Sequence, residues 1–277
     1  MKIKLVALDI DGTLLDSQGA LPLENAKAVE ETLQQGVKII LVTGRRSGTA
    51  CKVAASLNLD GPIIVHNGAL IKTSQAPYRI RSQFIQHETA RRILTMTEHF
   101  REYLVLHCDK NELGRQVVHP STRRNPLLQN YLSHFPDGIF ETQDVMEALD
   151  EDLIQLMFSG PLSAVQEIEE FLRFNDLQSH VTMTKTYYAE KDLGIIDLLD
   201  KGCSKGTALK YLAGYYGLVP TEILAIGDNH NDLEMLEFAG VAVIMGNSVQ
   251  ELRRRGFHET SSNNDNGVAL ALRHFIA

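Results

Sequence analysis

The sequence contains no long apolar run, few cysteines and no apolar leader segment. No stretch approaches the ~20 apolar residues that a membrane helix needs, so we expect no membrane partner. The three cysteines, Cys51, Cys108 and Cys203, show neither CxxC nor zinc spacing, and so small and odd a number is typical of a reducing compartment. Because the chain enters its first predicted strand without a leader segment, we expect a cytoplasmic protein.

Positive charge is also scarce, and the formal net charge is −8 at pH 7. A nucleic-acid-binding protein needs a basic face, so we expect no nucleic-acid partner. An anionic substrate would have to be attracted locally, by a metal ion, Lys205 or Arg45, because the field of the whole protein does not attract it. The glycines show no Walker spacing, and no GxGxxG follows a predicted strand, so two common nucleotide-binding motifs are missing.

An acidic loop near the start is the most informative segment that is present. The apolar run Leu5–Leu8 predicts a buried parallel strand, and Asp9 and Asp11 follow it two residues apart, on one side of the chain. Gly12 permits a sharp turn there. Two neighbouring carboxylates repel each other unless a cation lies between them, and oxygen ligands favour magnesium. A plain acidic turn is the alternative, since Asp and Gly are common in turns.

A second acidic cluster stands far downstream in the same context. The apolar run Ile223–Ile226 predicts another buried strand, and it ends in the polar segment Gly227–Asp232. Open α/β sheets bind their ligands beyond the carboxyl ends of their strands. The two acidic clusters are therefore predicted to meet at one edge of one sheet.

The two ends of the chain alternate strands and helices, a rhythm that predicts a doubly wound parallel sheet. Strands are predicted at 5–8, 37–42, 62–65, 223–226 and 241–245, and helices at 23–35, 47–57, 205–216 and 232–238. Helical spacing predicts that Ala26, Val29 and Leu33 face inward, with Gly36 ending their helix. In the helix 205–216, the residues predicted to face inward are Ala208, Leu209, Leu212 and Ala213.

The middle of the chain has a different pattern. Helical stretches at 88–100 and 162–174 are mixed with short strand-like runs at 103–107, 155–159 and 181–184. We therefore predict an α/β core from residues 1–83 and 196–277, with an α+β domain of residues 84–195 inserted between them.

Taken in order, these motifs resemble those of the haloacid dehalogenase-like (HAD) phosphatases, in the Cof-type branch with a type IIB cap. The matching segments are Asp9–Leu15, Val42–Arg45, Cys203–Gly206 and Gly227–Asp232, with His66–Ala69, Met245–Asn247 and Asn266–Ala269 beside them. The chain departs from the branch at Asp200, Ser248 and Arg253–Gly256, but no departure removes a catalytic side chain. The resemblance implies a Rossmann-like core under a cap domain.

The resemblance also implies a mechanism. Asp9 would be the nucleophile that forms an aspartyl-phosphate, and Asp11 the general acid for the leaving alcohol and then the base for water. Mg²⁺ would be held by Asp9, Asp228 and the backbone carbonyl of Asp11. Lys205 would neutralise the transferring group, and Asp232 would orient Lys205 or the waters on the metal.

Phosphate contacts are expected from a further group of residues. The expected binding residues are Thr43, Gly44, Arg45, Lys205 and Asn231. For Thr43 and Gly44 the alternative is an ordinary turn at a strand end. For Lys205 and Arg45 the alternative is a solvated side chain at the start of a helix. His66 is interpreted as a structural loop residue rather than a catalytic one.

The function expected from the resemblance is Mg²⁺-dependent hydrolysis of a small phosphorylated metabolite, such as a sugar phosphate or a phosphorylated cofactor. One alternative is a non-catalytic sensor of phosphorylated ligands. It predicts the loss of Asp9, Asp11, Lys205 or Asp228, and all four are present. The other, a phosphotransferase or mutase, usually carries a small cap just after the first motif, and the segment Asp16–Glu24 is too short for one. No motif defines the substrate or the oligomeric state. His107, Arg115, Lys185 and Tyr187 are candidate lining residues in the insert.

Overall fold

The protein is described by a computed structural model that covers residues 2–74, 78–110, 113–133, 138–188, 190 and 192–276. The chain forms two compact units, Met1–Arg81 with Ser204–Ala277, and Ser82–Cys203. The predicted insert, 84–195, starts two residues later and ends eight residues earlier than the second unit. The difference arises because the last strand of the inserted sheet runs as far as Asp200.

The described residues form strands of two to nine residues. In chain order they are β1 (Leu5–Leu8), β2 (Lys38–Leu41), β3 (Pro62–Val65), β4 (Leu70–Thr73), β5 (Arg79–Ser82), β6 (Leu104–Lys110), β7 (Leu113–Val118), β8 (Ile139–Glu141), β9 (Asp152–Gly160), β10 (Val181–Tyr188), β11 (Leu193–Asp200), β12 (Ile223–Gly227), β13 (Val241–Ile244) and β14 (His258–Glu259).

The helices are mostly amphipathic and of moderate length. In chain order they are α1 (Leu23–Gln34), α2 (Ser47–Ser56), α3 (His87–Met96), α4 (Pro120–Arg124), α5 (Pro126–Ser133), α6 (Leu162–Phe174), α7 (Lys205–Tyr215), α8 (Leu233–Phe238), α9 (Gln250–Arg253) and α10 (Gly267–Ile276). None of the helices built from described residues has both the length and the apolar character that crossing a bilayer requires.

The first unit is built on a parallel sheet with the strand order β14-β13-β12-β1-β2. The central strand β1 is completely buried and pairs in parallel with β12 on one side and β2 on the other. Strand β3 continues beside β2 through a bridge between Val42 and Ile64, and then folds back through β4 and β5. The predicted parallel α/β core is therefore confirmed, and the antiparallel β4 and β5 are an addition that the strand pattern did not predict.

The second unit is an antiparallel sheet with helices. Its strand order is β10-β11-β9-β6-β7-β8, and only β7 and β8 run parallel. Apolar residues from α3, α6 and alternate positions of the strands form its core, among them Ile93, Leu106, Phe158 and Ile168. The predicted α+β composition is confirmed. The predicted helix 88–100 is instead α3 followed by a 3-10 turn.

Helix α1 shows where apolar spacing misjudged the buried face. Val29 is buried as predicted, but Ala26 and Leu33 are only half-buried, and Asn25 is fully buried instead. The Asn25 amide donates to the carbonyl of Leu14 at 3.0 Å and accepts from the N–H of Ala269 in α10 at 3.0 Å. A polar residue lies inward because it satisfies two backbone groups that packing has removed from water.

We expect Asn25→Leu to destabilise the first unit, because it leaves the Leu14 carbonyl and the Ala269 N–H buried without a partner. The expected loss is about 1–3 kcal/mol in the free energy of unfolding, measured by urea denaturation. Glu30→Ala, on the exposed side of the same helix, is the control and should change it by less than ~0.5 kcal/mol. Equal stability of the two variants would contradict this account of the buried amide.

Candidate active site

The central strands bring their carboxyl ends to one edge of the sheet. Leu8 of β1 is in register with Ile226 of β12 and Leu41 of β2. The pairing continues past the strand ends, where the N–H of Asp9 donates to the carbonyl of Ile226 at 3.1 Å and the N–H of Val42 to that of Leu8 at 2.9 Å. The loops after these three strands therefore start side by side, as expected for a ligand site in an open α/β sheet.

Lys205 lies at the centre of this edge. Its side chain is 1% exposed, and its Nζ is 2.7 Å from Oδ1 of Asp9 and 2.7 Å from Oδ1 of Asp232. Burial lowers the pKa of Lys205, but the attraction of Asp232 and Asp9 outweighs it and raises the pKa above its ordinary value. Lys205 is therefore a buried ammonium between two carboxylates, and the alternative of a solvated lysine is wrong.

The position of Lys205 follows from the start of helix α7. Ser204 caps this helix, since its hydroxyl accepts from the N–H of Thr207 and the Thr207 hydroxyl accepts from the N–H of Ser204. The Ser204 hydroxyl also donates to the Glu234 carboxylate of α8. Lys205 is thus the first residue of a capped helix, at the end where backbone N–H groups and the helix dipole favour anions.

Asp232 holds the second acidic loop in shape. Its Oδ2 accepts from the N–H groups of Asp228 and Asn229, both at 3.0 Å, while Oδ1 accepts from Lys205. Gly227 makes this possible, because a Cβ there would lie 2.6 Å from the Asp232 carboxyl carbon. With both oxygens engaged, Asp232 fixes the direction of Asp228 and of the Lys205 ammonium.

Asp9, Asp228 and Asp232 form a buried acidic cluster, in which one oxygen of each lies within 4.8 Å of the others. Burial raises the pKa of Asp9 to about 7, against the opposing pull of Lys205. Burial and the charges of Asp9 and Asp232 hold the pKa of Asp228 well above its usual range. Three carboxylates facing one ammonium are short of positive charge, and their oxygens suit a hard divalent cation such as Mg²⁺. The residues therefore fit the expected metal.

Asp11 stands apart from this cluster. Its side chain is 40% exposed and pairs with Arg45 through two contacts, Nη2 to Oδ1 at 2.5 Å and Nε to Oδ2 at 2.7 Å. The structure therefore places Arg45 on Asp11, a contact that the sequence pattern did not predict. Two parallel N–H···O contacts fix the plane of the Asp11 carboxylate as well as its position.

Thr43 and Gly44 lie in the loop after β2. Thr43 is buried, and its hydroxyl oxygen accepts from the N–H of Arg45 at 3.0 Å. A hydroxyl that accepts in this way still has its own O–H to donate to an anion. Gly44 runs close to Asn67, whose Oδ1 would lie 3.0 Å from a Cβ at position 44.

Asn231 lies within the second acidic loop, in a 3-10 turn before α8. Its Nδ2 donates to Oδ1 of Asn67 at 3.0 Å. Asn67 follows β3, so the structure brings a fourth loop to the site.

Sequence reasoning gave no role to several residues that shape this edge. Thr13 donates to Asp228 Oδ1 at 3.1 Å, and Asn247 donates to the Gly12 carbonyl at 2.8 Å. Asn67 was covered only by a matching segment. All three lie in segments that resemble the family, and that resemblance was the one signal available for them.

The candidate lining residues of the insert make contacts within the inserted unit. Arg115 pairs with Glu151 at 2.6 Å. Lys185 and Tyr187 both bind Glu169, at 3.1 and 3.0 Å. His107 is buried, with its Nε2 3.5 Å from the Tyr131 hydroxyl. These contacts join strands and helices within the inserted unit.

The chain is similar to known proteins over nearly its whole length. Residues 6–272 match the family model described as haloacid dehalogenase-like hydrolase. The stress response protein YhaX of Bacillus subtilis (strain 168) is 32% identical, over 100% of this chain and 94% of that protein. The protein YwtE of the same organism, named a 5-amino-6-(5-phospho-D-ribitylamino)uracil phosphatase, is 30% identical over 99% of both chains.

Similarity to solved structures extends to the insert. BT4131, described as a HAD subclass IIB sugar phosphatase, matches with a TM-score of 0.81 and 21% identity, over 98% of each chain. The match covers both units, so the insert shares the fold of that subclass. The chain therefore belongs to the haloacid dehalogenase-like hydrolases.

Proposed function

We propose that this protein hydrolyses phosphoric monoesters of small metabolites, with Mg²⁺, through an aspartyl-phosphate on Asp9. The observation that carries the proposal is the buried Lys205 ammonium, 2.7 Å from Asp9 Oδ1, at the edge where Asp228 also lies. A carboxylate held by a fixed cation is a suitable nucleophile towards phosphorus, because the cation also offsets the charge of the phosphoryl group.

The contacts of Asp9 indicate which of its oxygens attacks. Lys205 donates to Oδ1, so Oδ2 is the oxygen that we assign to the bond with phosphorus. As this bond forms, the bond from phosphorus to the ester oxygen breaks, and Asp11 donates a proton to the departing alcohol. In the second half of the reaction Asp11 takes a proton from water, the water oxygen bonds to phosphorus, and the Asp9–phosphorus bond breaks.

Arg45 serves Asp11 in this scheme. Its two contacts hold the Asp11 carboxylate in one orientation. Thr43, Gly44, Lys205 and Asn231 surround the position assigned to phosphate, with the Thr43 hydroxyl and the Asn231 amide as uncharged donors.

The metal is assigned to the side chains of Asp9 and Asp228 and to the backbone carbonyl of Asp11. When bound, Mg²⁺ supplies positive charge between the nucleophile and the anionic phosphoryl group. Asp232 keeps its contacts with Lys205 and with the backbone of the Asp228 loop. It therefore positions Asp228 without binding the metal itself.

For the substrate, we propose a small polar phosphate ester, such as a sugar phosphate or a phosphorylated cofactor, with the insert setting the range of substrates accepted. YwtE is named for a phosphoribitylamino compound, and BT4131 is described as a sugar phosphatase.

All three cysteines are free, which supports a reducing, cytoplasmic location.

Asp9→Asn should abolish turnover, because the amide keeps the shape of the side chain but is a very poor nucleophile. A loss of several orders of magnitude in kcat is expected in a phosphate-release assay with Mg²⁺. The surface variant Asp150→Asn is the control and should keep full activity. A sensor, or another nucleophile, would be indicated if the Asp9 variant and the control behaved alike.

Asp11→Asn should lower kcat by ~10²–10⁴-fold, the usual contribution of a general acid–base group. Metal binding should persist, because only the backbone of Asp11 is assigned to the metal. The measurements are steady-state kinetics and a calorimetric titration with Mg²⁺. If Asp11→Asn instead weakened Mg²⁺ binding but left kcat unchanged once enough Mg²⁺ was added, the separate roles of Asp9 and Asp11 would be refuted.

Asp228→Asn should stabilise the metal-free protein at neutral pH. Folding raises the pKa of the Asp228 carboxyl. The stability that this group contributes is therefore fully present below its unfolded pKa of ~3.9, and it is lost as the pH rises through the folded pKa. In chelator, the Tm of the variant should equal that of the wild type near pH 4 and exceed it at pH 8. A change of about 1 kcal/mol in the free energy of unfolding shifts the Tm of a protein of this size by roughly 2–4 °C.

Magnesium should reverse the order at pH 8. Binding to the folded state raises the Tm of the wild type, whereas the variant lacks a ligand and should respond weakly. Equal responses of the two proteins to Mg²⁺ would show that Asp228 is not a metal ligand. If the wild type were more stable than the variant in chelator at pH 8, the Asp228 charge would not destabilise the metal-free protein.

A further inference from the structure

The turn between β3 and β4 has an unusual backbone. His66 and Asn67 have φ angles of 50° and 51°, in the left-handed region, and both are buried. Asparagine adopts this conformation more readily than most residues with a side chain. Gly68 follows with a φ of 104°. Three successive residues in such conformations persist only where their surroundings hold them in place.

Two contacts join this turn to the loop after β2. The N–H of His66 donates to the carbonyl of Arg45, and the N–H of Asn67 to the carbonyl of Thr43, both at 3.0 Å. The turn therefore supports the backbone of the loop that we assign to phosphate binding.

The same turn meets the other two segments of the site. A Cβ at position 68 would collide with the Ser204 carbonyl and lie 3.1 Å from the Lys205 nitrogen, so the turn packs closely against the start of α7. The Asn67 side chain accepts from the Asn231 amide at 3.0 Å. Asn67 thus lies where the Thr43 loop, the Lys205 helix and the Asn231 turn converge.

The hydrogen bond between Asn67 and Asn231 has a directional consequence. An asparagine amide carries two N–H donors, and fixing one of them fixes the plane of the group and so the direction of the other. A side chain already held in its binding orientation loses less freedom when an anion binds.

We propose that Asn67 is a positioning residue for phosphate: it does not touch the anion, but orients the Asn231 amide that does. This inference rests on the proposed function for the role of Asn231. It predicts that the effect of Asn67 passes through Asn231.

The test is a double-mutant cycle with Asn67→Gly and Asn231→Ala. Glycine tolerates the positive φ and removes the side chain that accepts from Asn231. Asn58→Gly is the matched control, since Asn58 also has a positive φ, 54°, but is exposed and lies outside the site. Binding of inorganic phosphate to the Mg²⁺-loaded protein is measured by calorimetry, and KM and kcat on a phosphate ester that the wild type hydrolyses.

Asn67→Gly should weaken phosphate binding by roughly 10-fold, the order expected for one hydrogen bond to a charged group. KM should rise by a similar factor and kcat should change less, because the contact is made in both the ground and the transition state. In the Asn231→Ala background, Asn67→Gly should cause almost no further loss. The control Asn58→Gly should leave all three quantities unchanged.

Full additivity of the two substitutions would overturn the proposal, since Asn67 would then act independently of Asn231. If Asn67→Gly does not fold, the cycle is run with Asn67→Asp, which retains the acceptor and tolerates the left-handed backbone. Asn231→Ala should then cost as much in that background as in the wild type, and an absent effect would overturn the proposal. A wild type that binds phosphate but hydrolyses no ester refutes the proposed function alone, because the binding cycle needs no turnover.

Discussion

A buried ammonium keeps its charge only where carboxylates surround it, and Lys205 meets that condition between Asp9 and Asp232. Each of the three groups would be costly to bury alone. With Asp228 in the same cluster, three carboxyl groups face one ammonium. The arrangement is thus stable enough to form but remains short of positive charge. That imbalance favours a cation at this site, as the proposed reaction requires.

The backbone around this cluster follows from the same requirement. Asp232 accepts from two N–H groups of the loop that carries Asp228, so a charge-assisted contact sets the shape of the loop. Glycine stands at position 227 because the Asp232 carboxyl occupies the place of its side chain, and at position 12 because Asp228 does the same. The glycines of both motifs are therefore a packing consequence of the buried carboxylates.

Much of the fold and the site was predictable, since buried strands and their terminal carboxylates have a clear signature. The apolar runs before Asp9 and Asp228 correctly predicted parallel neighbours. Contacts between distant polar groups have no such signature. The Arg45–Asp11 pair and the Asn25 bridge depend on three-dimensional positions, and neither periodicity nor propensity encodes them. Strand β4 was missed because its pairing with β3 depends on the left-handed turn at His66 and Asn67.

The strand order also has a consequence for the way the molecule is made. Asp9 directly follows β1, but one neighbour of that strand, β12, comes more than two hundred residues later. During synthesis the first acidic loop therefore exists long before Lys205, Asp228 and Asn231. A growing chain has Asp9 on an unpaired strand edge until the inserted unit and then α7 and β12 have been made. The side chains assigned to the proposed reaction can therefore meet only late in synthesis.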